Sequence, residues 1–309
     1  MDIIIDLVLL VVGFVMLVKG ADVFVDGAAG IAKKFGIPEL VVGLTIVAMG
    51  TSAPEAAVSI TSALSGHAGI TIGNVLGSNI LNTLVILGLT GAIVAIAIQK
   101  STLFIEMPYM LLITGVLIFM GMTGGVITRI VGVILWVLFI VYMVYLFVVA
   151  KKGKNEDGEP ETIPVWKLLL FGIVGEVIVV WGSDITVDSA VSLAEVIGIS
   201  DRIIGLTIVA LGTSLPELVT SVTAARKGNA DIAIGNIVGS NIFNILFVVG
   251  TSALIINIPY ASGFIIDGII AVAAGVLLWI STVKTKKLTR PWGIAMLVSY
   301  AAYVVYLLV

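Results

Sequence analysis

The segment GLTIVAMGTSAPEAAVSITSA, residues 43–63, returns 162 residues later as GLTIVALGTSLPELVTSVTAA, residues 205–225. Each copy sets two hydroxyls, a proline and a carboxylate into an apolar run: Thr51, Ser52, Pro54 and Glu55 in the first, Thr213, Ser214, Pro216 and Glu217 in the second. Proline has no N–H for the carbonyl four residues back, so the carbonyls of Gly50 and Gly212 lose their helical partners, and glycine lets the backbone deviate there. A kink or unwound turn is expected at each, and a bound cation is one partner that a freed carbonyl could take. A second duplicated motif, IGNVLGSNILNTLVILG (72–88) and IGNIVGSNIFNILFVVG (234–250), adds small residues for close helix packing and neutral oxygens, Asn82 and Asn244 among them. With no cysteine and the single histidine His67, the available ligands are hard oxygens. Such a set suits Ca2+, Mg2+ or Na+ and argues against zinc and copper.

The elements that must hold these groups lie in a bilayer. Of 309 residues, 60% are hydrophobic and 11% charged, and the mean hydropathy is +1.23. Charged residues make up about a quarter of an ordinary soluble domain. The apolar stretches are continuous, so they read as membrane helices and not as barrel strands. Ten spans are expected, at approximately 3–28, 38–64, 69–97, 102–121, 126–150, 164–190, 202–226, 230–256, 261–281 and 290–308. The start MDIIID lacks a basic n-region, so the first span reads as retained. Glu55 and Glu217 then sit near mid-membrane, where an unpaired charge costs at least about 2.5 kcal/mol.

The linker KKGKNEDGEPET, residues 151–162, separates five spans from five. Two similar halves with an odd number of spans insert in opposite senses, so an all-α fold of two inverted five-helix repeats is expected, residues 1–150 and 164–309, joined by a cytoplasmic linker over 151–163. Gly20, Asp22, Asp26, Gly36 and Ile37 recur at the same offset as Gly182, Asp184, Asp188, Gly198 and Ile199. Basic residues test the count. Connections after odd-numbered spans hold Lys33, Lys34, Lys100, Lys151, Lys152, Lys154, Arg226, Lys227, Lys284, Lys286, Lys287 and Arg290, whereas the even ones hold Arg129 and Arg202. The positive-inside rule makes the first set cytoplasmic and puts both termini outside the cell membrane.

Small residues in a membrane helix commonly serve packing, and a lone proline there carries no message; the duplicated Thr-Ser-x-Pro-Glu at mid-span is what exceeds packing. GTSAPE with GNVLGSNILN, and GTSLPE with GNIVGSNIFN, resemble the two alpha-repeats of the calcium/cation antiporter superfamily, most closely the prokaryotic sodium/calcium exchangers, over nearly the whole chain. The resemblance implies ten helices and a site between spans 2, 3, 7 and 8. It implies that Glu55 and Glu217 bind Ca2+ with the backbone carbonyls of Thr51 and Thr213. Na+ would use those carboxylates with Ser52, Ser78, Ser214, Ser240 and the carbonyls of Ala48 and Ala210. Some archaeal relatives carry Asp at the position of Asn244; here Asn82 and Asn244 are symmetric amides, which removes one possible proton carrier. The resemblance also suggests three Na+ per Ca2+. One Ca2+ balances two glutamates and three Na+ leave +1, so exchange would be electrogenic, and competition for the same carboxylates would make it obligatory. Alternating access would come from sliding of spans 1 and 6 against the rest, with KKFGIPE and EVIGISD as hinges.

The transported ions and the lipid bilayer are the expected partners; no cofactor, nucleic acid or obligatory protein partner is expected, and the chain reads as a transporter, not an enzyme. A Ca2+/H+ or K+-dependent exchanger on the same scaffold is the alternative. An intramembrane hydrolase would need His67 beside a buried serine, a passive channel would need no counter-ion, and a primary pump would need the phosphate loop that the chain lacks. Asp22, Asp26, Asp184 and Asp188 read as interfacial or helix-capping acids. Glu176 has Phe14 as its counterpart and stands as an unassigned acid inside span 6.

Overall fold

A computed structural model describes residues 3–152, 162–196 and 210–308. The helices are α1 (Ile3–Phe35), α2 (Glu39–Thr51), α3 (Ala53–Leu64), α4 (Gly69–Ile93), α5 (Thr102–Gly124), α6 (Arg129–Lys152), α7 (Val165–Val196), α8 (Leu215–Arg226), α9 (Ala230–Ile255), α10 (Gly263–Val283) and α11 (Arg290–Leu308), with a short turn Ala210–Gly212 before α8. Among the described residues seven helices are long and apolar enough to cross a membrane, and the bent pair α2–α3 makes an eighth. The chain is an all-α integral membrane protein. Its outer helices α1, α6, α7 and α10 present apolar side chains outward, such as Ile4, Ile130, Ile173 and Ile269, while α9 is almost wholly enclosed.

The order follows the 162-residue offset. Helix α6 packs on α9, and α11 on α4, so the last helix of each half closes on the central helix of the other. The connections are joined by parity. Strand β1 (Ile96–Ala97) pairs antiparallel with β4 (Lys287–Leu288), with Ile96 opposite Leu288; β2 (Val126–Ile127) pairs with β3 (Ile258–Pro259), with Ile127 opposite Ile258. At the β1–β4 end, Gln99 Nε2 donates to Asp231 Oδ2 at 2.5 Å. At the β2–β3 end, Arg129 Nη2 donates to the Ile255 carbonyl at 3.0 Å. Among the described residues, the connections after the third, seventh and ninth expected spans thus meet at one end and those after the fourth and eighth at the other, in keeping with the lysine and arginine pattern.

Helices α1 and α7 run to 33 and 32 residues, well beyond the expected 3–28 and 164–190. Each is about 50 Å long against a hydrocarbon core of about 30 Å, so both tilt or project from it. They pack side by side because glycines recur every seventh residue on the shared face: Gly13, Gly20 and Gly27 on α1, Gly175 and Gly182 on α7. A Cβ on Gly175 would lie 2.4 Å from the Phe24 amide nitrogen, one on Gly27 2.6 Å from that of Gly172, and one on Gly182 2.9 Å from that of Leu17. Backbone meets backbone along this seam, the approach that small residues permit between membrane helices.

Among the described residues four π-helical turns, Gly43–Val47, Asn82–Ile86, Thr102–Glu106 and Asn244–Val249, interrupt the α-helices; two of them begin at Asn82 and Asn244. Such bulges cluster at functional positions. The linker residues 153–161 and most of EVIGISD lie outside the described residues. KKFGIPE is a turn, closed by Gly36 at φ 62°, a left-handed conformation that glycine adopts without strain.

The seam gives a direct test. Gly175→Val is expected to force α1 and α7 apart, a cost of about 1–3 kcal/mol for overpacking. A thermal melt of the detergent-solubilised protein checks it: the midpoint falls relative to the parent, whereas Gly115→Val, where an added Cβ meets nothing within 4 Å, leaves it nearly unchanged.

Candidate functional site

The kink forms where proline demands it. Helices α2 and α3 meet at 50°, with Ser52 between them at φ −85°, ψ 7°. Ser214, its counterpart, has φ −95°, ψ 5°. Both serines therefore leave the helical well at the same point of the motif, one residue before the turn that carries the glutamate. One of the freed carbonyls has a partner within the protein: Gly212 accepts from Ser183 Oγ at 2.7 Å.

The carboxylates are cross-bonded between the halves. Ser52 Oγ donates to Glu217 Oε1 at 2.8 Å, and Ser214 Oγ donates to Glu55 Oε1 at 3.2 Å. Both glutamates are 0% exposed, and the second oxygen of each, Oε2, is buried without a partner. Neither has an ion-pair partner among the described residues. Two acids in a dry centre, each held by a neutral donor with an oxygen left over, form a pocket of negative charge that only a cation or a proton can balance.

A neutral oxygen layer surrounds them. Thr51 Oγ1 donates to Asn236 Oδ1 at 2.9 Å, and Ser240 Oγ to the Ala48 carbonyl at 3.3 Å. Asn82 Nδ2 donates to Asn241 Oδ1 at 3.1 Å and Asn244 Nδ2 to Asn79 Oδ1 at 3.2 Å, another reciprocal pair, which leaves the buried Oδ1 of Asn82 and of Asn244 free. Ser78 is buried in α4 at the position related to Ser240; Thr213 is half-buried at the edge of a cavity; Ala210 heads the short turn before α8. Asn74 and Asn236 carry a role that their type alone did not announce. Each amide ties the glutamate-bearing helix to its neighbour: Asn74 Nδ2 reaches Ser59 Oγ at 2.9 Å and the Glu55 carbonyl at 3.2 Å, and Asn236 Nδ2 reaches Ser221 Oγ at 2.9 Å and the Glu217 carbonyl at 3.4 Å. Their duplication at the common offset was the signal.

The surroundings of this centre differ on its two sides. On one, a cavity of about 470 Å³ reaches Ala53, Pro54, Gly212 and Thr213 but neither glutamate, with Asp184 and Asp188 on its wall. On the other, Ala21 and Val25, which the repeat relates to the cavity residues Ser183 and Val187, are 0% exposed, and Leu215 and Val219, related to Ala53 and Ala57, are half-buried against the cluster of Leu17, Ala21 and Val179. The four aspartates are not helix caps, since α1 and α7 continue well past them. Asp22 and Asp26 pair with Lys227, whose Nζ lies 3.4 Å and 2.8 Å from their carboxylates. Glu176 lies behind the kink; a Cβ on Gly50 would be 3.6 Å from its Oε2, and neither of its oxygens has a partner. His67 is exposed in the α3–α4 turn, far from the chemistry of a nucleophile.

A helical membrane fold with an acidic, oxygen-lined centre split between two related motifs defines an ion-exchange protein. The chain belongs to the sodium/calcium exchanger protein family, whose model matches residues 5–148 and 167–309. It is 37% identical over 311 residues to the putative antiporter CaxA of Alkalimonas amylolytica, covering 96% of each chain. It is 33% identical to the sodium/calcium exchanger MaX1 of Methanosarcina acetivorans, covering 98% of each. Among solved structures, the sodium-calcium exchanger NCX_Mj soaked with 10 mM Na+ and 10 mM Sr2+ superposes with a TM-score of 0.85 at 32% identity, covering 98% of this chain and 99% of that one. The same exchanger with zero Na+ and Ca2+ gives 0.86.

The reciprocal serines set an expectation. Ser52→Ala and Ser214→Ala each remove a hydrogen bond to a charged acceptor, worth about 1.5–3 kcal/mol. Each is expected to weaken cation binding at least about tenfold and by similar factors, as read by calorimetric titration of Ca2+ and Na+ into the purified protein.

Proposed function

We propose that the protein is a secondary antiporter that exchanges Na+ for Ca2+ by alternating access, with three Na+ per Ca2+. One observation carries the reading: two partnerless carboxylate oxygens, one from each related motif, lie fully buried in a centre flanked by a cavity at Pro54 and Thr213 on one side and by a plug of apolar residues, Leu17, Ala21, Leu215 and Val219, on the other. A channel would need both sides open. The family membership and the exchangers among the relatives support the ion pair Na+ and Ca2+.

In this reading Ca2+ sits between Glu55 and Glu217 with the carbonyls of Thr51 and Thr213. Na+ ions share those carboxylates and take Ser52, Ser78, Ser214, Ser240 and the carbonyls of Ala48 and Ala210, with Asn82 and Asn244 as the neutral layer beyond. A divalent ion neutralises the glutamate pair. Three monovalent ions leave one positive charge, so each cycle moves net charge across the membrane, worth about 2.3 kcal/mol per 100 mV. The ten-span, two-repeat arrangement places residues 1–150 and 164–309 in opposite senses about the site. The basic connections face the cytoplasm, both termini face outside, and the open cavity faces outward in the cell membrane.

The test is uptake of 45Ca2+ into liposomes driven by an outward Na+ gradient. Parent protein is expected to take up Ca2+ at a rate that responds to an imposed K+ diffusion potential. Glu55→Gln and Glu217→Gln, which leave one carboxylate without its counterpart, are expected to lose at least about a hundredfold. Uptake that follows a proton gradient and ignores Na+ would assign the coupling ion to H+ instead, and uptake indifferent to potential would rule out three Na+ per Ca2+.

A further inference from the structure

The repeat relates two pairs of aspartates, Asp22 and Asp26 on α1 to Asp184 and Asp188 on α7, and the structure uses them oppositely. Asp184 and Asp188 line the open cavity, and none of the described residues that line it with them is basic. Asp22 and Asp26 lie outside the plug, where Lys227 occupies them. Its Nζ donates to Asp26 Oδ1 at 2.8 Å and to the Asp22 carbonyl at 2.9 Å, and stands 3.4 Å from Asp22 Oδ1. A second cavity of about 470 Å³ opens beside Asp26 and Lys227 but reaches none of the kink residues. Lys227 belongs to the turn between α8 and α9, whereas the aspartates belong to α1, so the ammonium ties the glycine-seamed α1–α7 pair to the site-bearing helices. The residue related to Lys227 by the repeat is Ser65, which has no charge to offer.

We propose that Lys227 is a positioning residue for the transport cycle: a tethered ammonium that holds the acidic pair of the closed entrance in place of an incoming cation. The proposal rests on the exchanger reading for its substrate, a divalent cation arriving from the basic, cytoplasmic side. For α1 to slide and the plug of Leu17, Ala21, Leu215 and Val219 to part, the contacts to Asp22 and Asp26 must open. A cation reaching these carboxylates competes with Lys227 and so favours opening from its own side. No described residue lining the other entrance plays that part. The two faces therefore differ in apparent cation affinity although the central ligands are symmetric. The groups are partly exposed, 29% for Lys227 and 38% and 62% for the aspartates, so the latch is weak enough to cycle. An ion pair of that kind biases an equilibrium by about threefold to fivefold.

The chain has no cysteine, so single thiols report access without background. Ala57→Cys lies on the open cavity, and Val219→Cys, its counterpart in the repeat, lies at the plug. In proteoliposomes treated with a charged thiol reagent, Ala57→Cys is expected to react and Val219→Cys to be protected. Adding Lys227→Met is expected to raise the labelling rate of Val219→Cys about threefold to fivefold and to lower that of Ala57→Cys. Lys227→Arg, which keeps the charge, restores the parent rates, and Asp22→Asn with Asp26→Asn reproduces the effect of Lys227→Met. In transport, Lys227→Met lowers the apparent KM for Ca2+ on the cytoplasmic face and does not lower it on the outer face. Equal labelling of Val219→Cys with and without Lys227, in protein that remains monodisperse, would overturn the proposal, as would a Lys227→Arg variant that behaves like Lys227→Met. Labelling reads the conformation without any substrate, so absence of Na+-driven Ca2+ exchange in the parent would count against the exchanger reading alone.

Discussion

Two carboxylates that cannot neutralise one another share the dry centre of this protein, and the arrangement around them answers to that fact. Glu55 and Glu217 each lean on the serine of the opposite motif, so neither half can present its acid without the other. Their remaining oxygens meet no donor. Buried charge of this kind is tolerated only when something compensates it, and among the described residues no lysine or arginine pairs with either glutamate. The kinks, the π-turns at Asn82 and Asn244, and the amides of Asn74 and Asn236 all serve to bring polar groups to one level and to hold them there. The Gly212 carbonyl shows how closely the polar accounting is kept: Ser183 satisfies it.

Packing divides the molecule into a dense block and a mobile-looking pair. In the block, α4 and α9 are enclosed by helices from both halves, and Gly43, Gly235 and Gly239 bring α2 against α9 at backbone distance, so a shift there would break many close contacts at once. The α1–α7 pair is different in kind. Its seven-residue glycine spacing gives a smooth seam within the pair, and its contacts with the block are fewer. Rigid cores pass from one arrangement to another by discrete sliding of such elements and not by gradual deformation.

An inverted repeat gives each side of the membrane the same set of residues, yet no single conformation can use both sets alike. Ala57 and Val58 are exposed at the cavity, while of their counterparts Val219 is half-buried and Thr220 fully buried. Ser183 lines that cavity, whereas its counterpart Ala21 packs with Leu17 and Val179. The halves also differ in charge at the rims, where Lys227 has Ser65 as its counterpart.

Much of the site was legible in the sequence because the repeat doubles every signal. Pro54 with Glu55 and Pro216 with Glu217 fixed the kinks and the acids, since a missing N–H and a mid-membrane carboxylate have few interpretations. The parity of the spans followed from lysine and arginine, which the bilayer sorts by side. Other features depended on contacts between residues far apart in the chain. The aspartates read as interfacial or capping acids because helix ends are faint in uniformly apolar sequence, and only the full length of α1 and α7 excluded capping. The glycine seam required knowing which helix lies against which. Composition and duplication determined the solvent, the repeat and the oxygen-rich character of the motifs; the tertiary structure decided which oxygens stay unpaired, which of the related segments border a cavity and which aspartates meet a lysine, because each of these is a matter of distances across the fold.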